Sequence, residues 1–405
     1  MSATHAAPGA EGATPPGPAV WAVLTFAFWI SMAGTTMPTP LYPLYVRAFG
    51  FSDLTITVIF AVYAIGVVAG LLVFGRLSDQ IGRRPVVLLS LLLSAAAAVF
   101  FIVAHGLAMV LVARMLSGFS AALITGGATA GLLDLARPER QRRAGTVAIA
   151  ANMGGLAGGN LLAGVLAEWA GSPLRLPWII DLALVVLALI GCLWLLPETV
   201  ESPTGFRFQL QPLRVPGAIR AVFLRTSLTS GSGFAVTGLL GSVTGLFLGG
   251  VLHLTDQALT GLIVAVAFLC TALGQLAAGR LRSDTALPTA CAGLVAAAVL
   301  IAVALLAEQL APLVVGSALT GLGTGVAMSN GLGAINAATP PQQRGEVVST
   351  FFAILYLMLS VPVVGVGVLV QLTNLRIGGV VFSAGVALLA AGVAAGTLRS
   401  RRSAD

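Results

Sequence analysis

Two charged residues, Arg114 and Asp181, stand inside long apolar segments of this sequence. Arginine stays protonated in proteins, so Arg114 can bind an anion or adjust a carboxylate but cannot itself carry a proton. Asp181 is flanked by apolar residues on both sides, and a carboxyl group can bind and release a proton. Asp181 follows Pro177 at the predicted start of a helix, where the dipole favours a negative charge. We therefore expect an interfacial aspartate, with proton exchange as its candidate chemistry.

Arg114 lies well inside its apolar segment, about 10 Å from one end at 1.5 Å per helical residue. Placing an arginine at the centre of a membrane helix costs at least about 2.5 to 3.5 kcal/mol, so its side chain should face a polar cavity rather than lipid. The alternative is a structural arginine bonded to backbone carbonyl groups.

Polar and aromatic side chains in other apolar segments are candidates for lining a path through the membrane. Buried amides are costly without partners, whereas hydroxyl groups can bond to their own backbone. Three prolines in segment 37–45 should interrupt its helix and bring nearby polar groups to the path; alternatively, this helix ends early at the membrane surface. The candidates are Thr39, Tyr42, Asn152, Asn160, Asn330, Asn336, Phe352 and Tyr356.

No arrangement in the sequence favours an enzyme. His5, His105 and His253 have no useful mutual spacing, and Cys192, Cys270 and Cys291 form no CxxC pair. A phosphate-binding loop of the GxxxxGK type is also missing, so ATP is not the expected energy source. We expect no catalytic residue, no metal site and no cofactor.

The composition places these candidate residues in a membrane. The chain has 405 residues, of which 58% are hydrophobic and 9% are charged, whereas a soluble domain carries about 25% charged residues. The charged residues are clustered, and nearly every gap between clusters reaches the roughly 20 residues that cross a bilayer as a helix. The sequence therefore predicts an all-α membrane protein with twelve transmembrane helices, numbered here spans 1 to 12.

The arginines predict the orientation of these spans. Only Arg47, Arg175 and Arg376 fall in loops on one side, while the other loops collect most of the rest. Because cytoplasmic loops carry the excess of basic residues, both termini should be cytoplasmic. The net charge of +7 is thus explained by a lipid bilayer and not by nucleic acid. All 21 basic residues are arginine, which favours a high-GC bacterial genome and hence the bacterial inner membrane.

The spans divide into two sets of six. A proline-rich and arginine-rich stretch separates them, and two stretches of the first half have worn counterparts about 203 residues later, at 279–288 and 321–341. This pattern predicts a duplication with parallel repeats. The predicted regions are a disordered tail at 1–18, six-helix bundles at 19–197 and 219–398, a cytoplasmic linker at 198–218 and a cytoplasmic tail at 399–405.

The loop at 75–85, GRLSDQIGRRP, carries the most specific motif. It resembles the signature G-x-L-x-D-x-x-G-R-R of the major facilitator superfamily (MFS), between the second and third spans. The resemblance implies two six-helix bundles related by a pseudo-two-fold axis, and a latch that joins them on the cytoplasmic side in the outward-open state. The implied latch residues are Gly75, Asp79, Gly82, Arg83, Arg84 and Asp134. The side chain of Asp79 could also accept hydrogen bonds from a helix N-terminus.

Two further segments resemble motifs of this family. The surroundings of Arg114 resemble its span 4 motif, whose arginine is associated with proton transfer or substrate charge. The small residues at 155–164 resemble its antiporter motif, but Asn160 stands where proline is expected. Span 1 lacks the acidic residue that is usual in the family's drug and proton antiporters.

The resemblance implies a monomeric secondary transporter that works by alternating access. The expected activity is proton-coupled efflux of small apolar or amphiphilic compounds, with the proton gradient as energy source. One alternative is an importer or facilitator of an anionic metabolite bound by Arg114. Another is a receptor with the same fold that does not transport.

Overall fold

The computed structural model describes residues 17–75, 77–200, 211–340 and 343–402. Within these ranges the chain is helical and contains no strand. Among the described residues, twelve helical segments are long and apolar enough to cross a membrane, which confirms the predicted all-α membrane fold. In the order of spans 1 to 12, the helices are Pro18–Thr36 with Pro38–Phe49, Asp53–Phe74, Arg83–Ile102, Leu107–Asp134, Gln141–Trp169, Leu176–Leu195, Arg220–Gly250, Gln257–Ala278, Ser283–Ala307, Leu310–Ala338, Arg344–Leu372 and Leu375–Arg402.

The predicted disruption of span 1 is almost absent, which corrects both expectations for segment 37–45. The chain departs from the helix only at Met37, whose backbone keeps right-handed helical angles, and the helix then continues to Phe49. Pro38 begins this second helix, and prolines are tolerated in a first turn because those N–H groups lack intrahelical partners. Only Pro43 lies farther inside it.

Short polar residues define where several helices begin. The Ser52 hydroxyl accepts a hydrogen bond from the Thr55 N–H (3.1 Å) at the start of span 2. At the start of span 8, the Asp256 carboxylate accepts one from the Leu259 N–H (2.9 Å). Both bonds satisfy backbone donors that have no partner within the helix.

The packing of the spans repeats after six. In the first half, span 1 packs on spans 4, 5 and 6, span 4 packs on spans 2 and 3, and span 3 packs on span 6. In the second half, span 7 packs on spans 10, 11 and 12, span 10 on spans 8 and 9, and span 9 on span 12. The halves meet where span 5 packs on span 8 and where span 2 packs on span 11. These two contacts are also related by a shift of six spans. These pairs confirm two six-helix bundles with pseudo-two-fold symmetry.

The spans run alternately between two faces of the molecule. The face that holds loops 75–82, 135–140 and 279–282 is called here the arginine-rich face, and the other the opposite face. Trp194, Leu372 and Leu388 are among the apolar side chains exposed on the perimeter, as expected where lipid is the solvent. Residues 1–16 of the predicted tail, 201–210 of the predicted linker and 403–405 of the predicted C-terminal tail lie outside the described residues.

Candidate functional site

Arg114 lies in the interior of the first bundle and is only 1% exposed. Its Nη1 donates a hydrogen bond to the Thr35 carbonyl oxygen of span 1 (2.7 Å), and its Nε donates one to the Ile59 carbonyl oxygen of span 2 (3.3 Å). Its guanidinium carbon also lies 4.5 Å from the ring centroid of Tyr63. This geometry corresponds to the alternative expected from the sequence, a buried arginine bonded to backbone carbonyls, and not to one facing a polar cavity.

A series of aromatic contacts links Arg114 to the other half of the molecule. The Tyr63 ring meets the Tyr356 ring of span 11 edge to face, with centroids 6.3 Å apart. Tyr356 in turn meets Phe234 of span 7, with centroids 6.0 Å apart. A cation over an aromatic face and two edge-to-face pairs are favourable contacts. The arginine and the interface between the halves are therefore joined through Tyr63.

Asp181 is buried between helices, which corrects the prediction of an interfacial aspartate. Its side chain is 1% exposed and its Oδ1 has no hydrogen-bond partner. The carboxyl group lies against the backbone of Gly34 in span 1, because a Cβ added to Gly34 would be 3.1 Å from Oδ2 and 3.4 Å from Oδ1. The sequence placed Asp181 near a helix start correctly, but the neighbouring spans cover that position.

The other polar candidates of the first half are buried in the bundle, except Asn152, which is partly buried. Asn160 of span 5 is buried, and its amide donates to the Leu156 carbonyl oxygen (2.9 Å). Tyr42 and Thr39 of span 1 are buried as well. The Tyr42 hydroxyl and the Oδ1 atoms of Asn152 and Asn160 have no partner. Their proposed role in a transport path stays a prediction.

The candidates of the second half are more dispersed. Asn330 of span 10 is partly buried and donates to the Val326 carbonyl oxygen (3.0 Å). Asn336 lies two residues from the end of span 10, near the arginine-rich face. Phe352 is partly buried against Phe351, with centroids 5.8 Å apart. The structure therefore brings only Tyr356 of these four residues to the centre of the interface.

Spans 5 and 8 cross closely toward the opposite face. A Cβ added to Gly261 would overlap the Asn160 carbonyl oxygen, and one added to Gly164 would be 2.6 Å from the Gln257 carbonyl oxygen. Glu168, at the end of span 5, accepts a hydrogen bond from the Gln257 N–H (2.8 Å) at the start of span 8. The carboxylate of one half thus caps a helix of the other, where a negative charge is favoured.

The symmetry-related crossing of spans 2 and 11 closes the same face. A Cβ added to Gly367 of span 11 would overlap the Thr57 hydroxyl oxygen of span 2. Between spans 1 and 7, a Cβ added to Gly245 would be 2.8 Å from the Pro43 ring. These contacts lie between the midplane and the opposite face, so the two halves are closed together on that side.

The loop at 75–85 forms an ionic cluster within the first half. Arg83 pairs with Asp79, and its Nε donates to Asp134 Oδ2 (3.1 Å). The Arg83 and Arg84 backbone N–H groups donate to the Glu198 carboxylate (2.9 and 3.2 Å) at the start of span 3. Glu198 therefore takes the helix-capping position that the sequence analysis suggested for Asp79, because the chain after span 6 returns to this loop.

Two glycines of this loop make room for neighbouring carboxylate and amide groups. Gly82 has φ +107°, a conformation that side chains disfavour, and an added Cβ would overlap the Glu198 carboxylate. At Gly75 an added Cβ would overlap the side chain of Gln211, whose backbone N–H donates to the Leu72 carbonyl oxygen (2.9 Å). Gln211, in the connection between the halves, thus lies against the end of span 2.

An apolar cleft of about 580 Å³ lies between spans 1 and 5 toward the arginine-rich face. Trp21, Phe26, Trp29 and Val147 are among its lining residues, and Thr25 is its one hydroxyl group. Among the residues that the structure describes, no cluster of His, Cys, Asp and Glu could hold a metal ion.

Sequence patterns do not reveal three residues that join separate elements: Tyr63, Glu168 and Glu198. Glu168 lies at the end of span 5, and the helix start that it caps belongs to span 8 in the other half. Glu198 follows span 6, and the helix start that it caps belongs to span 3, 115 residues earlier in the chain. Nothing in the sequence distinguished Tyr63 from any other apolar-segment aromatic, because its partners come from spans 4 and 11.

Comparison with known sequences gives a family and several relatives. The model of the Major Facilitator Superfamily matches residues 24–285. Quinolone resistance protein NorA of Staphylococcus aureus (strain N315) is 24% identical over 191 residues, which are 47% of this chain and 48% of that protein. Multidrug resistance protein 2 of Bacillus subtilis (strain 168) is 24% identical over 183 residues, 45% of either chain. The chain thus spans about half the length of the curated relatives it matches.

Solved structures of two transporters resemble this fold over nearly the whole chain. A bacterial homolog to the human lysosomal transporter Spinster, in an inward-facing and unoccupied conformation, has a TM-score of 0.73 at 16% identity, covering 95% of this chain and 98% of that one. The human organic anion transporter MFSD10 (TETRAN) has a TM-score of 0.66 at 20% identity, covering 94% and 100%. At these identities the similarity shows the fold.

Proposed function

Because this chain belongs to the Major Facilitator Superfamily, whose model matches well over half of it, we propose that it is a proton-coupled exporter of small apolar or amphiphilic compounds. It works by alternating access, with the two bundles rocking about a central site. The observation that carries this proposal is the aromatic contact between the halves, Tyr63 with Tyr356. An aromatic site at a moving interface suits apolar ligands, which need contact area more than fixed hydrogen bonds.

The environment of Arg114 favours this substrate class over an anion. Two donor groups of Arg114 are bonded to backbone carbonyl groups, and its guanidinium group lies over the ring of Tyr63. Only 1% of the residue is exposed. A carboxylate or phosphate would meet a guanidinium that is already partly bonded to the backbone and almost fully buried. The apolar cleft between spans 1 and 5 is a second surface that suits an amphiphile.

The names of two relatives also support export. One is named for quinolone resistance and the other for multidrug resistance. By analogy, we place the chain as a monomer in the cytoplasmic membrane of a bacterium, with both termini and the arginine-rich face in the cytoplasm. The closed opposite face is then the outer one.

Transport into inverted membrane vesicles tests the proposal. Three fluorescent probes are offered under an imposed pH gradient: cationic ethidium, neutral N-phenylnaphthylamine and anionic fluorescein. We expect gradient-driven uptake of ethidium or the neutral dye, abolished by a protonophore and absent from vesicles without the protein. Uptake of fluorescein alone would favour the anion transporter, and uptake insensitive to the protonophore would contradict proton coupling.

A further inference from the structure

Asp181 is a buried carboxyl group without a counter-charge. Within the part of the chain that the structure describes, neither oxygen receives a hydrogen bond and no basic group lies within ion-pair distance. The residue sits in the first turns of span 6, which begins at Leu176. Gly34 provides the space that the carboxyl group fills.

The helices that pack on span 6 offer no partner for this group. Spans 1, 3 and 5 are those helices. On span 1, Tyr42 and Tyr45 lie farther toward the opposite face, and Tyr45 accepts the Trp178 indole N–H (3.0 Å). On span 3, Arg83 and Arg84 lie at the other end, where Arg84 donates to the Leu193 carbonyl oxygen (2.6 Å).

The remaining charged groups of these elements are also engaged or distant. On span 5, Glu168 is bonded to span 8, and Arg142 and Arg143 lie in the first turn, at the arginine-rich face. Span 6 itself carries Cys192 near its other end, and Arg175, which precedes its first residue, is exposed, as is Arg47 at the far end of span 1.

An ionised carboxylate in such a place would be unstable. Burying an unpaired charge costs several kcal/mol or more, whereas a neutral carboxylic acid is tolerated far better. We propose that Asp181 is the proton-binding site of the transport cycle and carries a proton in this conformation, which is closed at the opposite face. This inference rests on the proposed proton-coupled export. The proton passes from water at the opposite face to a carboxylate oxygen of Asp181, and later to water at the arginine-rich face.

The turn of span 1 beside Asp181 connects this site to the interface between the halves. Asp181 touches Gly34, and the next residue, Thr35, offers its carbonyl oxygen to Arg114 (2.7 Å). A carboxylate formed by loss of the proton is a stronger acceptor than a carbonyl oxygen. It would draw Arg114 away from Thr35 and from the ring of Tyr63, which contacts Tyr356 of the second half. Release of the proton would thereby weaken the contact that holds the halves at the midplane.

Infrared spectroscopy of the purified protein in lipid vesicles tests the protonation directly, without a substrate. At neutral pH we expect a carboxylic acid carbonyl band that is absent from the Asp181→Asn variant. Asp256→Asn is the matched control, since that carboxylate caps span 8 and accepts a backbone N–H; its spectrum should keep the band. Identical carboxylic acid bands in the wild type and Asp181→Asn would overturn the assignment.

Ethidium transport by the reconstituted protein tests the coupling. Asp181→Asn cannot bind or release a proton, and an unchanged helical amide band in its infrared spectrum will show that it folds. It should lose gradient-driven accumulation, and Asp181→Glu should restore part of it. Accumulation by Asp181→Asn at the wild-type level would overturn the inference while leaving the proposed export intact. If the wild type accumulated none of the probes, the proposed function would fail, whereas the infrared result would still decide where the proton is.

Discussion

Arg114 shows how a charged residue is accommodated inside a helical bundle. It donates to two carbonyl groups and lies on an aromatic ring, so its charge is stabilised by dipoles and not by a counter-ion. Other side chains cannot easily replace Arg114 here, because only the forked guanidinium group can donate to carbonyl groups of spans 1 and 2 at once.

Replacing Arg114 with glutamine should destabilise the protein. The Thr35 and Ile59 carbonyl oxygens would lose the bonds that the guanidinium donates, and a hydrogen bond from a charged group contributes about 1.5 to 3 kcal/mol. We expect a clear fall in the thermal unfolding midpoint in detergent. Arg47→Gln is the control, since Arg47 is exposed near the opposite face; equal midpoints for the two variants would contradict the structural role.

Tyr356 offers the residue-scale test of the central site. Tyr356→Ala removes an aromatic ring from the proposed site, and a ring contact with the ligand contributes about 0.5 to 1.5 kcal/mol, so the KM for ethidium should rise roughly twofold to tenfold. Tyr356→Phe keeps the ring and should stay within about twofold of wild type. A KM for Tyr356→Ala that matches the wild type would remove this residue from the site.

At the scale of elements, the two crossings between the halves depend on glycines, whose lack of a side chain lets the helices approach closely. Small residues let helix backbones approach closely, and Gly164 and Gly261 do so where spans 5 and 8 meet. Glu168 adds a charge at the helix start on the same crossing. Span 5 therefore forms part of the closure of the two halves at the opposite face, called here the gate. The role in antiport that its resemblance to the family's motif implies stays a prediction, and Asn160 replaces the proline of that motif.

Gly261→Ala should open this crossing. The new methyl group would overlap the Asn160 carbonyl oxygen, and backbone atoms cannot move aside as a flexible side chain can. In a background without native cysteines, we expect faster maleimide labelling of Thr260→Cys, which is buried at the crossing in the closed state. Gly249→Ala is the matched control, because a Cβ there meets nothing within 4 Å. Unchanged labelling in Gly261→Ala would show that the crossing does not limit access.

At the scale of the whole molecule, the pseudo-two-fold axis means that the gate consists of two equivalent helix crossings. Spans 5 and 8 form one crossing and spans 2 and 11 the other, and both lie toward the opposite face. If the bundles move as rigid bodies, opening one crossing must open the other. The latch cluster around Arg83 lies wholly within the first half in this conformation, so its predicted role in joining the halves concerns a different state and stays a prediction.

The double variant Gly261→Ala with Gly367→Ala tests this rigid-body motion. Each single change should raise Thr260→Cys labelling, since a methyl group at Gly367 would overlap the Thr57 hydroxyl. Two free-energy changes on one shared opening equilibrium add, so while the open state remains rare the labelling rate of the double variant should rise by about the product of the two effects. If the two crossings opened separately, Gly367→Ala would leave Thr260→Cys labelling unchanged, alone and in the double variant.

The sequence by itself determined the twelve spans, their all-helical character and the division into two similar bundles. Those features depend on local composition: an apolar run of about 20 residues has few stable alternatives to a helix in lipid. The same local reasoning identified the loop at 75–85 and singled out Arg114 and Asp181.

Only the tertiary structure decided what these residues contact. It buried Asp181, which the local pattern of Pro177 and a helix start had placed at the interface, because spans 1, 3 and 5 cover that position. It gave the capping role expected of Asp79 to Glu198, and it joined Arg114 to Tyr356 through Tyr63. The partners in each case come from spans far apart in the chain, and the distances between them depend on how the helices pack, which no local pattern of residues encodes.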